Sequence, residues 1–104
     1  MPGFKRLASV FLVVSVTTLS GCGAMVARAR IVGAETALGA AKRANADSKA
    51  IYEFTGATLY LEKAREEEAY GRFGNAIEWG GLAEQLAEKA KLASVSAEPV
   101  PEVP

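Results

Sequence analysis

Residues 24–53 read AMVARARIVGAETALGAAKRANADSKAIYE, and within them Ala24, Ala27, Ile31, Ala34, Leu38, Ala41, Asn45, Ser48 and Tyr52 recur at alternating steps of three and four. A seam of period 3.5 marks a helix that buries one narrow face against another helix. The remaining surface carries Arg28, Arg30, Glu35, Lys42, Arg43, Asp47, Lys49 and Glu53, with Lys49 and Glu53 one turn apart. The spacing predicts one long first helix from near Ala24 to about Glu53, which at 1.5 Å per residue reaches about 45 Å. Alanine dominates the seam, so the neighbouring helix must approach closely and each contact buries little apolar area. Asn45 either fixes the register of that pairing or is simply exposed.

Outward from this helix, Phe54-Thr55-Gly56 interrupts the pattern, and Thr55 is placed to cap a new helix. A second helix is expected from about Ala57 to Tyr70, with Ala57, Tyr60, Leu61 and Ala64 on its apolar side and a solvated, strongly polar stretch from Arg65 to Glu68. The glycines of Gly71-Arg72-Phe73-Gly74 break it, because each costs about 1 kcal/mol relative to alanine inside a helix. A third helix follows from about Asn75 to Ala93, with Phe73, Ala76, Ile77, Gly80, Ala83, Leu86, Ala87 and Ala90 facing inward. Its centre, Trp79-Gly80-Gly81, has two readings. Either Gly80 admits a close helix backbone while Trp79 covers the core edge, or the helix bends there and exposes Trp79 to a partner. Trp79, Tyr60 and Tyr70 are the candidate partner contacts. From Ser94 to Pro104 three prolines at Pro99, Pro101 and Pro104 favour an extended, disordered tail. The expected fold is all-α, with the long first helix packed in a helical hairpin or three-helix bundle.

Composition narrows the chemistry. The 104 residues contain no histidine and one cysteine, Cys22, so neither an intramolecular disulfide nor a histidine-based nucleophilic triad can form, and a Cys or His metal site has no ligand set. Twelve basic side chains balance twelve acidic ones, which argues against nucleic acid as a partner. Glu66, Glu67 and Glu68 form the one dense carboxylate cluster. Consecutive helical residues fan apart by about 100° each, so these three do not converge on one substrate as paired catalytic carboxyls must. The expectation is a non-enzymatic protein without metal or cofactor. A carboxylate-dependent cell-wall hydrolase is the weaker alternative. A carrier of small apolar ligands would need a cavity, which the alanine seam does not predict.

The opening of the chain has the layout of a secretory signal: Lys5 and Arg6, an apolar run from Leu7 to Leu19, then small residues. A stretch of thirteen residues is too short to span a bilayer. Leu19-Ser20-Gly21-Cys22 resembles the lipobox of bacterial lipoproteins. That resemblance implies cleavage between Gly21 and Cys22, a diacylglycerol thioether on Cys22, and fatty acylation of the new amino group. Residues 1–21 would then be signal, 22–93 a helical domain and 94–104 the tail. The 83 residues left carry ten basic and twelve acidic side chains, a net charge of −2. With buried acyl carbons contributing about 0.8 kcal/mol each, such an anchor is effectively permanent. Arg28 and Arg30 stand near it, either touching lipid phosphate or simply solvated. Gly23 rather than aspartate after the cysteine implies, by similarity to enterobacterial sorting, the outer membrane.

Two further resemblances concern the helical part. Gly71, Phe73, Ala76, Ile77 and Ala83 are spaced like the turn and second helix of a tetratricopeptide repeat, but a single degenerate unit does not build a solenoid. From Ala24 to Ala93 the chain resembles a family of small envelope proteins known as domain of unknown function 4398. The shared features are a lipobox, an alanine-rich first helix, a segment like Tyr60-Leu61-Glu62-Lys63-Ala64-Arg65-Glu66, and a glycine–aromatic turn before the last helix. The family has no assigned chemistry, so the resemblance implies the helical fold and the cell-envelope compartment and leaves function open. Taken together, the chain reads as a lipid-anchored protein facing the periplasm, a binding or scaffolding module whose partner is an unknown envelope protein, or alternatively a self-assembling structural lipoprotein.

Overall fold

A computed structural model describes residues 2–96, with side chains described from Cys22 onward. The chain is all-α. Helix α1 spans Pro2–Arg43, the short α2 Ala46–Lys49, α3 Ile51–Ala69 and α4 Phe73–Ser96. The expected tail residues 97–104 lie outside the described residues. Helix α4 packs extensively on both α1 and α3, which touch each other less. The ion pairs Arg28–Glu68 at 2.6 Å and Arg65–Glu35 at 2.9 Å set α3 antiparallel to α1. A Cβ on Gly23 would lie 3.8 Å from Phe73, and one on Gly80 would lie 3.2 Å from the Cβ of Arg30, so α1 and α4 run parallel. The result is an up-down-up three-helix bundle.

Its core is built from small residues in heptad phase. In α1 the buried positions are Ala27, Ile31, Ala34 and Ala41, with Leu38 packed against them; in α4 they are Ala76, Gly80, Ala83, Ala87, Ala90 and Ser94. Both sets step by four and three, the repeat that keeps two helices in register. Ile31, Ala34, Leu61, Ala64 and Ala83 form one cluster, joined by Leu38 and Trp79. Ala41, Ala46, Ala50 and Ala90 form a second, joined by Phe54 and Ala93.

The seam holds through Ala41 and then departs from expectation. Asn45 adopts a left-handed backbone (φ 63°, ψ 30°), and α1 ends at Arg43, short of the expected Glu53. Its N–H donates to the Lys42 carbonyl at 2.9 Å, as at a helix C-terminus. Asparagine is among the few residues that enter this region readily, so Asn45 neither sets a register nor sits idle: it turns the chain. Beyond it Ser48 is exposed and Tyr52 is 84% exposed, so the last seam positions are not core. The next long helix begins at Ile51 and runs straight through Phe54-Thr55-Gly56. Thr55 caps nothing; the residue before α3 is Ala50, which makes no side-chain cap.

The second turn falls where expected. Tyr70 closes α3, Gly71 takes φ +74°, its N–H donates to the Glu68 carbonyl at 3.0 Å, and the Arg72 N–H donates to the Glu67 carbonyl at 2.9 Å. This is a Schellman closure, which needs a left-handed residue at Gly71. Nothing lies within 4 Å of a Cβ placed there, so any cost of substitution is backbone strain alone. Gly71→Ala is expected to lower the unfolding free energy by about 1 kcal/mol, and Gly71→Asn by less, as read from urea denaturation. Helix α4 then starts at Phe73 and continues to Ser96, three residues past Ala93. The extension is held by buried Ser94, whose hydroxyl donates to the Ala90 carbonyl at 2.8 Å.

Candidate functional site

Two places concentrate chemistry: the α3–α4 turn and an apolar groove between α3 and α4. At the turn, Glu67 is the buried member of the three carboxylates, 4% exposed, which corrects the expectation of a wholly solvated acidic stretch. The i, i+3 steps Leu61, Ala64, Glu67 carry it onto the core side of α3. Its Oε2 accepts from Arg72 Nε at 2.8 Å and from Asn75 Nδ2 at 3.0 Å, while Oε1 pairs with Lys63 Nζ at 3.4 Å. Glu66 pairs with Lys63 and Glu68 with Arg28. Each carboxylate of the cluster thus has a cation, and none faces another across a cleft.

The Asn75 hydrogen bond, with the Lys63 and Arg72 cations, holds the Glu67 carboxyl below the usual carboxylate range despite its burial. The Lys63 ammonium is held above its ordinary value by Glu67 and Glu66. A general acid needs the opposite shift, so the cluster reads as a clasp joining α3 to α4. Because the folded pKa of Glu67 lies below its unfolded value near 4.5, its stabilisation is present above that pH and is lost as pH falls through the folded value. The denaturant midpoint should therefore drop below about pH 4.5 more steeply in the natural protein than in Glu67→Gln, the two converging in acid. Parallel curves from pH 7 to pH 3 would rule this account out.

The groove is open to solvent, with a volume of about 560 Å³, and is lined by Ile51, Tyr52, Thr55, Gly56, Leu59, Tyr60 and Leu86. A second depression continues it over Tyr52, Tyr60, Leu82, Gln85, Leu86 and Lys89. Gly56 makes the groove: a Cβ there would sit 2.6 Å from Leu86 Cδ2, so the missing side chain lets Leu86 reach α3. Ile51 is 62% exposed, Leu59 58% and Leu82 40%, although all are large apolar side chains. Apolar side chains clustered and left open on one face mark a binding surface more often than scattered ones do.

Of the sequence-derived partner contacts, Tyr60 and Trp79 are brought together, ring centroids 5.4 Å apart and planes tilted by 37°. Trp79 is half-buried against the Ile31 cluster and α4 continues unbroken through Gly80 and Gly81, so Trp79 covers the core edge rather than standing free. Tyr70 does not join them. It lies at the turn, 70% exposed, with the Arg72 guanidinium 4.9 Å from its ring centre. Sequence reading missed Ile51, Leu59 and Leu82 and assigned Tyr52 to the core seam. Their signal is the stripe Tyr52, Thr55/Gly56, Leu59/Tyr60, legible only once α3 is known to start at Ile51. The groove is an open trough rather than an enclosed cavity.

Cys22 is exposed, within the uninterrupted α1, and a Cβ on the neighbouring Gly23 would lie 3.8 Å from Phe73. Cys22 is therefore at the end of the bundle that holds the α3–α4 turn. Among the described residues no helix is long and apolar enough to cross a membrane.

Fold and groove define a small helical bundle with an open apolar face. Comparisons with protein-family models, with curated proteins and with solved structures find no match to this chain.

Proposed function

We propose that this chain is a bacterial lipoprotein, tethered through a lipid on Cys22 to the periplasmic face of the outer membrane, whose bundle acts as a binding or scaffolding module. The feature that carries the reading is the lipobox-like Leu19-Ser20-Gly21-Cys22 with an exposed Cys22. Cleavage between Gly21 and Cys22 would keep Ala27, Ile31, Ala34 and Ala41, the buried residues of α1 among those described, in the mature chain. The anchor then holds the turn bearing Tyr70 and Arg72 toward the lipid and leaves the groove on the side of the rod for a partner. The resemblance to the domain of unknown function 4398 supports the same compartment. A hydrolase is disfavoured by the ion-paired, acid-side carboxyl of Glu67.

Self-assembly through the alanine seam is the alternative, but Ala27, Ala34, Ala41, Ala83 and Ala90 are all spent inside one chain. An oligomer would have to use another face. Mass spectrometry of the native protein should find an acylated Cys22 as its first residue; a bare thiol with residues 1–21 attached would end the anchor reading. Crosslinking in intact cells from Leu59 or Tyr60 should join the groove to another envelope protein, whereas self-crosslinks alone would favour the oligomer.

A further inference from the structure

Opposite the buried Ala27, Ile31 and Ala34, the outer face of α1 presents Cys22, Met25, Val26, Ala29 and Val32, all exposed, Met25 at 73% and Val26 and Val32 at 47% each. Steps of three, one, three and three keep these residues on one side of the helix over about 15 Å. A helix that packs by one face ordinarily turns charge to water on the other. Between Cys22 and Val32 this one is apolar on both, and its charges stand on the rims. Arg28 borders the stripe on the side of α3, where it meets Glu68 at 2.6 Å with its side chain still 62% exposed. Arg30 borders it on the side of α4, beside Gly80, is exposed, and makes no ion pair among the described residues.

We propose that this stripe is a lipid-contacting surface: beyond Cys22, α1 lies against the membrane interface through Met25, Val26, Ala29 and Val32, with Arg28 and Arg30 reaching lipid phosphate. The inference deepens the anchored-lipoprotein reading and rests on it for the placement of Cys22 at the bilayer. An apolar helix face rimmed by arginines settles at the boundary between headgroups and acyl chains, its guanidinium groups at the phosphates. Met25 and Val26 stand one turn beyond Cys22 on its own face, so a lipid held there brings them to the bilayer with no change of fold. A second copy suits the stripe less, because two such faces laid together would set arginine against arginine. The contact also has an end. Past Val32 the stripe meets Glu84, whose Oε2 would lie 3.0 Å from a Cβ on Gly33, and the shallow recess that follows is lined by Glu84, Glu88 and Lys91, charged groups that favour water. The bundle therefore leans on the membrane by the first three turns after Cys22 instead of lying flat along it. The groove, lined by α3 and α4 alone, is left turned away from the lipid.

The test reconstitutes the protein, purified from its native membrane, in vesicles of phosphatidylethanolamine and phosphatidylglycerol with brominated acyl chains, which quench tryptophan on contact. In a Trp79→Phe background whose helical content is checked by circular dichroism, one tryptophan is placed at Val26, at Val32 or, as a control on the groove, at Leu59; all three side chains are exposed. Quenching should be several-fold stronger at positions 26 and 32 than at position 59. Met25→Asp with Ala29→Asp should bring position 32 down to the level of position 59 while the protein stays on the vesicles. Equal quenching at all three positions, none at 26 and 32, or quenching at 32 that is indifferent to the two aspartates would each overturn the proposal. The mass of the same preparation judges the anchor separately: a bare Cys22 would end that reading, whereas an acylated Cys22 without quenching at 26 and 32 would end the stripe alone.

Discussion

Ile31→Ala should lower the unfolding free energy by about 3 kcal/mol, within the range for removing a buried isoleucine, and the melting temperature by about 15 °C for a domain of this size. Ile31 is the largest fully buried side chain among the described residues. Its neighbours in the cluster are Ala34, Leu61, Ala64 and Ala83. How much a cavity costs depends on how far the surroundings collapse into it, and alanines have no rotamers with which to do so. The helices would have to move bodily, which the close α1–α4 crossing resists. Thermal melts followed by circular dichroism provide the measure, with Trp79 fluorescence reporting on the same cluster. Val32→Ala, one residue away but 47% exposed, should change stability by less than about 0.5 kcal/mol. Equal effects at the two positions would mean that the seam is not the core.

Adjacent glycines in α4 should respond with opposite signs. A Cβ on Gly80 would stand 3.2 Å from Arg30 Cβ and 3.4 Å from the Arg30 backbone carbon, and the backbone of α1 cannot step aside without dragging its helix. Gly80→Leu is therefore expected to destabilise by about 3 kcal/mol, at the upper end for overpacking, by prising α1 from α4. Gly81 has nothing within 4 Å of such an atom. There alanine gains helix propensity and loses only unfolded-state freedom, so Gly81→Ala should stabilise by about 0.5–1 kcal/mol. Chemical denaturation of both variants checks the pair; destabilisation at Gly81 or indifference at Gly80 would contradict the crossing described above.

These two positions also show what sequence could and could not deliver. The alternating three-and-four spacing from Ala27 to Ala41 and from Ala76 to Ala90 is periodicity, the signal least disturbed by context, and it placed both outer helices and the close approach at Gly80. The first turn was misplaced by about ten residues because Phe54-Thr55-Gly56 carries stronger local breaker chemistry than Ala44-Asn45. Tertiary packing overrode it: Leu86 lies where a Gly56 side chain would be, which rewards a helical glycine, while Asn45 supplies the left-handed turn. The groove was invisible for the same reason, since its stripe straddles the misplaced boundary. Glu67 was hidden because burial of a carboxylate depends on Arg72 and Asn75 across the turn, which no pattern within α3 reveals.

Three is an odd number of passes, and this has a mechanical consequence. A chain that goes up, down and up enters and leaves its bundle at opposite ends, so Cys22 and Ser96 are separated by the length of α4, about 36 Å for 24 residues. Tension applied between Cys22 and Ser96 would slide α1 against α4 lengthwise, loading all the interlocked alanines at once instead of peeling them apart one by one.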